Sequence, residues 1–303
     1  MTRYEDLMAR ILGGDVVAID GGTGTEMERR GVPKLTNAWN GGAALSHPDI
    51  VRDVHTDYIG AGANVIISNT FATGRNALND AGVGDDFEAL NRRSIELAIE
   101  AREAAGRDEI VVAGGISHWT WSGNAPSLDE QYENTLEQVT IMADAGAELL
   151  ILEMMIDIAR MKRVLDAAKT TGLPIWVGFT SGEEDGFADW RTGVTLRGGE
   201  LLTDAITALD DYDVDVITIM HSDVGVIDDC LDVLDQVWDG PVGIYAHSGD
   251  YIDGEWIFDD VISPEDYAQL CRGWLDRGVR VIGGCCGTRP EHIHEIAHIE
   301  GVT

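Results

Sequence analysis

Short runs of successive apolar residues alternate with longer amphipathic stretches along the whole chain. The runs span 16–20, 64–70, 110–117, 148–153, 174–180, 214–221, 241–247 and 279–284, and each is rich in Val, Ile or Leu. Apolar residues on consecutive positions, rather than on alternate ones, predict strands covered on both faces, as in a parallel sheet. Between the runs, 86–105, 128–145, 157–170, 199–209 and 264–277 place apolar residues at helical spacing. Strand followed by helix, repeated eight times over 303 residues, predicts an α/β fold, a (β/α)8 TIM-like barrel forming a single domain over 1–303. The rival arrangement is an open doubly wound sheet. The absence of a G-x-G-x-x-G motif after the first run weighs against its dinucleotide-binding form.

In a barrel every strand points the same way, so the long connections 21–50, 117–127, 181–198 and 248–263 emerge on one face, the face where such folds build their sites. The residues that end the runs are chemically uneven. Asp20 ends the first; Asn69 and Thr70 end the second, Ser117 the third, Glu153 the fourth and Thr180 the fifth. His221 and His247 end the sixth and seventh, and Cys285 and Cys286 follow the eighth. Closing the sheet brings the last three strand ends side by side. Two thiolates and one imidazole form a zinc set that leaves a fourth position open. A zinc ion lowers the pKa of a bound thiol and so holds it in its nucleophilic form. The plain alternative is that the cysteines are small core residues beside the glycine-rich turn Gly283, Gly284 and Gly287. The two histidines at the preceding strand ends favour the metal, with His221, Cys285 and Cys286 as ligands and His247 as a further candidate. Thr288-Arg289-Pro290-Glu291 reads as a capping box that starts a helix just after the cysteines.

Charge narrows the partners. The chain carries 54 acidic residues against 21 basic ones, a formal net charge of −33, and its only lysines are Lys34, Lys162 and Lys169. Such a surface repels nucleic acid and anionic membranes, which leaves small molecules as the expected partners. The acids are dispersed rather than gathered in a tail, as expected of a solvated surface suited to high salt, where screening relieves self-repulsion. No apolar run reaches the ~18–20 residues of a membrane span, and the N-terminus lacks a signal-peptide core, so a cytoplasmic location is expected. Without a secretory signal, the four cysteines are not expected to form disulfides.

The string GGCCGTRPEHI (283–293) resembles the zinc-binding end of homocysteine S-methyltransferases, and IDGGTGTEMERRG (19–31) resembles that family's first strand and loop. So do ISNTFATGRNAL (67–78), LILEMMIDIARMKRVLDAAK (150–169), PIWVGFT (174–180) and PVGIYAHSG (241–249), in order over nearly the whole chain. The resemblance implies a (β/α)8 barrel and zinc held by three cysteines, two of which match Cys285 and Cys286. His221 stands where the third cysteine is expected, and His247 stands where the family usually has asparagine. Asp20 and Glu153 match acids that hold the substrate's amino group, with Asn69, Thr70 and Thr180 completing the expected substrate-binding set. A carboxylate at a barrel strand's C-terminal end reads as functional on its own account. The loop 117–127 departs from the family form. Its Trp119 and Trp121, with Trp39 of the first loop, either form a donor cage that attracts an onium cation through cation–π contact or pack the loops onto the rim.

The resemblance therefore implies a zinc-dependent methyltransferase acting on homocysteine, with a sulfonium or quaternary ammonium donor and methionine as product. The chemistry is an activated thiolate aligned with the donor methyl. Two other classes remain: a zinc-dependent hydrolase on the same barrel, and a non-catalytic relative that binds a sulfur metabolite.

Overall fold

The structure, a computed structural model, describes residues 1–182, 194–252, 255–257 and 261–303. Its parallel strands are β1 (Val17–Ala18), β2 (Val65–Ile67), β3 (Val111–Ile116), β4 (Leu149–Met155), β5 (Ile175–Phe179), β6 (Val216–Asp223), β7 (Val242–His247) and β10 (Val281–Ile282). They form one eight-stranded sheet in the order β1-β10-β7-β6-β5-β4-β3-β2. A bridge between Ile19 and Val65 joins the two ends of that order and closes the barrel. A separate antiparallel hairpin, β8 (Asp250–Ile252) and β9 (Glu255–Ile257), follows β7. The predicted (β/α)8 barrel is the observed fold.

All eight predicted runs carry a barrel strand, but β1, β2 and β10 are two or three residues long and much shorter than their runs. Beyond Ile282 the chain passes too close to its neighbours for side chains. A Cβ on Gly283 would collide with Ile19, and one on Gly284 with Thr288. The helices also follow the pattern, with one exception. Thr2 with Glu5, and Ser127 with Glu130, form capping boxes that start the helices Arg3–Leu12 and Leu128–Ala145. The stretch 199–209 is helical only over Leu202–Thr207. The residues before it fold into a tight turn in which Leu196 N–H donates to Glu200 O at 2.8 Å and Gly199 takes φ +91°. That left-handed backbone suits glycine and is incompatible with continuing a helix.

Two apolar layers result. One lies between sheet and helices, with Val112, Leu150, Val177 and Ile217 facing outward among the buried helix residues. The other fills the barrel, where Val17, Val65, Val111, Leu149, Trp176, Val216 and Val281 meet Tyr4, Leu7, Met8 and Ile11 of the N-terminal helix. That helix closes the N-terminal end of the barrel. Trp176 Nε1–H donates to Tyr4 Oη at 3.0 Å, and Tyr4 O–H donates to Asp215 at 2.6 Å, so each polar atom brought into this end has a partner. Among the described residues, no helix is long and apolar enough to cross a membrane.

Candidate metal and substrate site

At the opposite end the regular ladder breaks. The β4–β5 register shifts between Leu152 and Met155, and the β6–β7 register shifts between Met220 and Asp223. Each irregularity re-aims a predicted site residue, Glu153 in the first and His221 in the second. Among the described residues, four other than glycine have positive φ: Asn37 (67°), Trp39 (40°), Met154 (57°) and His221 (45°). Trp39, Met154 and His221 line a cavity of about 600 Å³ at this end. Backbone held in this region costs on the order of 1–3 kcal/mol per residue and gathers where function requires a particular side-chain direction.

The cysteines follow β10 in a tightly pinned turn. Cys285 N–H donates to Ala246 O at 2.9 Å, and Cys286 O accepts from Ser248 N–H at 3.0 Å. The Thr288 hydroxyl donates to Cys285 O at 2.7 Å. The expected capping box is therefore displaced by one residue. Arg289 is the N-cap of helix Pro290–Ala297, paired with His292, while Thr288 fixes the cysteine turn.

This turn brings Cys285 Sγ to 3.6 Å from His221 Nδ1 and 3.9 Å from Cys286 Sγ. The ligand atoms of His221, Cys285 and Cys286 all lie within 4.8 Å of one another. Tetrahedral zinc, at about 2.3 Å from sulfur and about 2.0–2.1 Å from imidazole nitrogen, requires sulfurs about 3.8 Å apart and sulfur and nitrogen about 3.6 Å apart. The donor set fits that ion in both residue type and spacing. Without a cation, the Cys286 hydrogen bond and His221 hold the Cys285 thiol well below the usual thiol range, and the Cys285 thiolate in turn pushes Cys286 up. Two adjacent thiols cannot readily ionise together, and a bound dication removes that obstacle. His247 is buried and sets its ring against that of His221 at a 52° tilt, with centroids 4.8 Å apart, rather than lining the cavity. Burial pulls its pKa down to about 4.

Asp20 and Glu153 both line the cavity, and both are buried. Burial raises each carboxyl well above the usual range, and the negative Cys285 sulfur adds to the effect. Asp20 Oδ2 accepts from Ile67 N–H at 2.8 Å, which ties it to the end of β2. Two buried carboxyls facing an open space favour a cationic ligand group, since a cation restores the ionised form of each.

The remaining predicted residues divide. Asn69 lines the cavity while its amide donates to Asn40 O at 3.0 Å. Thr70 and Thr180 lie outside the lining: the Thr70 hydroxyl donates to Gly115 O at 2.8 Å, and that of Thr180 to Met220 O at 2.9 Å, so both brace strand ends. Trp39, Trp119 and Trp121 all reach the cavity. The Trp39 indole N–H donates to the Glu28 carboxylate, and Trp121 meets Phe71 edge-on with ring centroids 5.9 Å apart. Sequence reading passed over Phe71, Glu28 and Arg197, which share the lining. Arg197 lies in an irregular loop whose course no periodicity reveals, whereas Phe71 sits one residue beyond a run already marked.

The family model for homocysteine S-methyltransferase matches residues 17–299. A selenocysteine methyltransferase of Astragalus bisulcatus is 27% identical, covering 94% of this chain and 93% of its own length. Homocysteine S-methyltransferase YbgG of Bacillus subtilis (strain 168) is 26% identical, covering 93% of each. The crystal structure of the homocysteine methyltransferase MmuM from Escherichia coli in its metallated form superposes with a TM-score of 0.78 at 24% identity, over 93% of this chain and 95% of that one. At that identity the superposition speaks for the fold.

Proposed function

The chain belongs to the homocysteine S-methyltransferase family and is an S-methyltransferase, and we propose that it moves a methyl group from an onium donor to the thiol of homocysteine at a zinc site formed by His221, Cys285 and Cys286. The observation that carries this reading is the convergence of two thiols and one imidazole, at zinc spacing, on the wall of a cavity that also presents two buried carboxyls and an aromatic rim. A zinc ion in that set supplies a Lewis acid that keeps the acceptor sulfur as thiolate near neutral pH.

The protein's own groups do the positioning. Glu153 and Asp20 take the acceptor's ammonium group and become ionised as they do so. Trp39, Trp119, Trp121 and Phe71 offer aromatic faces to the cationic centre of the donor. Transfer forms one bond, from acceptor sulfur to methyl carbon, and breaks one, from methyl carbon to the donor's onium atom, which leaves neutral. Holding the two partners in line supplies much of the acceleration in such a displacement. His247, whose ring packs tilted against that of His221, orients it.

The test is a donor panel. Protein purified without chelator is incubated with homocysteine and, separately, S-methylmethionine, S-adenosylmethionine, betaine and dimethylsulfoniopropionate. Methionine is quantified, and zinc is measured by elemental analysis. The expected result is methionine from at least one donor and zinc near one per chain. Zinc-loaded protein that forms no methionine from any of the four overturns the reading.

A further inference from the structure

The two register breaks at the mouth lie on β4 and β6, with β5 between them. One side chain joins them. Met220, at the edge of the β6 break, is buried and reaches across β5 to the β4 break, where its Sδ accepts from Met154 N–H at 3.1 Å. The crossing is possible because β5 carries a glycine at that point: a Cβ on Gly178 would stand 2.9 Å from Met220 Cγ. Thr180, just beyond β5, steadies the same side chain. Its hydroxyl oxygen lies 3.3 Å from Met220 Sδ and 2.9 Å from Met220 O.

A thioether is a weak acceptor, and methionine in an interior ordinarily serves to fill irregular space. Here it has a second role. The slip in β4 leaves Met154 at φ 57°, and its buried N–H requires an acceptor. The Met220 sulfur supplies one. The residues that gain from this contact stand on either side of it. Glu153 precedes Met154, and His221 follows Met220 at φ 45°. In the reading above, the acceptor spans these two groups, with its sulfur at the metal and its ammonium at Glu153. Their separation sets the length of acceptor that fits, and the Met220 sulfur ties one strand end to the other.

We propose that Met220 is a positioning residue whose sulfur fixes the span between His221 and Glu153, and with it the preference for an acceptor of homocysteine length over one a methylene shorter. This rests on the methyl-transfer reading above and names what sets acceptor specificity within it.

Two variants separate the sulfur as hydrogen-bond acceptor from the sulfur as filler. Met220→Leu keeps the apolar volume, a swap that cores tolerate, and removes the acceptor. Met220→Asn gives up volume but carries an oxygen on Cγ, where the sulfur was attached. Zinc-loaded wild type and both variants, as full chains, are titrated calorimetrically with homocysteine and with cysteine in the absence of a donor, and zinc is measured. Wild type is expected to bind homocysteine more tightly than cysteine by roughly 10-fold or more, the usual worth of a methylene in a fitted site. In Met220→Leu, Kd for homocysteine rises by about tenfold and the preference shrinks to below about threefold. Met220→Asn keeps the preference within about threefold of wild type even though it unfolds at a lower temperature. Zinc stays near one per chain in all three proteins. In turnover, KM for homocysteine rises in Met220→Leu while KM for the donor holds. Equal affinity of wild type for the two thiols overturns the proposal, as does an unchanged preference in Met220→Leu or a loss in Met220→Asn as large as in Met220→Leu. If the preference is present in wild type and lost as expected, yet no donor yields methionine, the brace stands and the transfer reading falls.

Discussion

The two ends of this barrel are made from the same eight strands and have opposite characters. At the N-terminal end the ladder is regular, the interior is filled by Val, Leu and Trp176, and the capping helix satisfies each polar atom it brings, as in the chain from Trp176 through Tyr4 to Asp215. At the C-terminal end two registers slip, three residues are held at positive φ on the cavity wall, and two buried carboxyls face open space. The first end keeps every local rule. The second breaks several at once, and the breaks coincide with Glu153, Met154 and His221. In barrel enzymes the N-terminal face carries stability and the C-terminal face carries chemistry. Here the difference can be read residue by residue, and substitutions at the two ends are expected to act on different quantities.

The sharpest separation is expected from His221→Ala. It removes one of three converging donors, so zinc content should fall to a small fraction of one per chain and methyl transfer by about 10³- to 10⁴-fold, consistent with the several kcal/mol a Lewis acid supplies. The unfolding midpoint should stay close to that of metal-stripped wild type. Retention of both zinc and activity would remove His221 from the ligand set and point to His247.

Trp176→Ala strikes the other end. Trp176 is fully buried among the residues that meet the capping helix. Its truncation leaves a cavity and removes the indole N–H that donates to the Tyr4 hydroxyl, so urea unfolding should show a loss of about 3–5 kcal/mol. The folded fraction should keep its zinc and its KM for homocysteine. A catalytic defect without a stability defect would erase the division between the two ends.

Glu153→Gln has the smallest expected effect and tests the division most finely. KM for homocysteine should rise by roughly 10- to 100-fold, the worth of ~1.5–3 kcal/mol of charge-assisted hydrogen bonding, at unchanged zinc content. Stability should move the other way. Burial raises the Glu153 pKa in the folded protein, so wild type loses stability as pH climbs from the unfolded value of about 4.3 through the folded one. Glutamine cannot ionise, so the variant should be at least as stable as wild type above that value, with an advantage that grows with pH. Thermal unfolding across that range measures it. A variant less stable than wild type at every pH would make Glu153 a structural residue.

Much of this was legible in the sequence because strand ends are legible. Eight apolar runs locate the strands, closure of the sheet puts their ends at one mouth, and Asp20, Glu153, His221, Cys285 and Cys286 mark that mouth whatever their side-chain directions. The role of the threonines was less legible. Thr70 and Thr180 end strands as Asn69 does, yet their hydroxyls turn onto Gly115 O and Met220 O. Which side of a strand end faces the cavity depends on register and bulges set by neighbouring strands. The helical pattern over 199–209 likewise gave way to a turn centred on glycine, and that turn is what carries Arg197 to the mouth.

By itself, then, the sequence determined the barrel, the order of its strands' chemistry, the pairing of two thiols with an imidazole, and the family to which that combination belongs. These rest on local periodicity and on residue type, which the chain carries position by position. The tertiary structure alone decided that the sulfur and nitrogen atoms stand at 3.6 and 3.9 Å, that His247 backs His221 instead of facing the cavity, and that Arg197 closes over Trp119. Each of these joins residues far apart in the chain through bulges, positive φ and loop closure, and their direction is set by packing against other strands rather than by any neighbour in sequence.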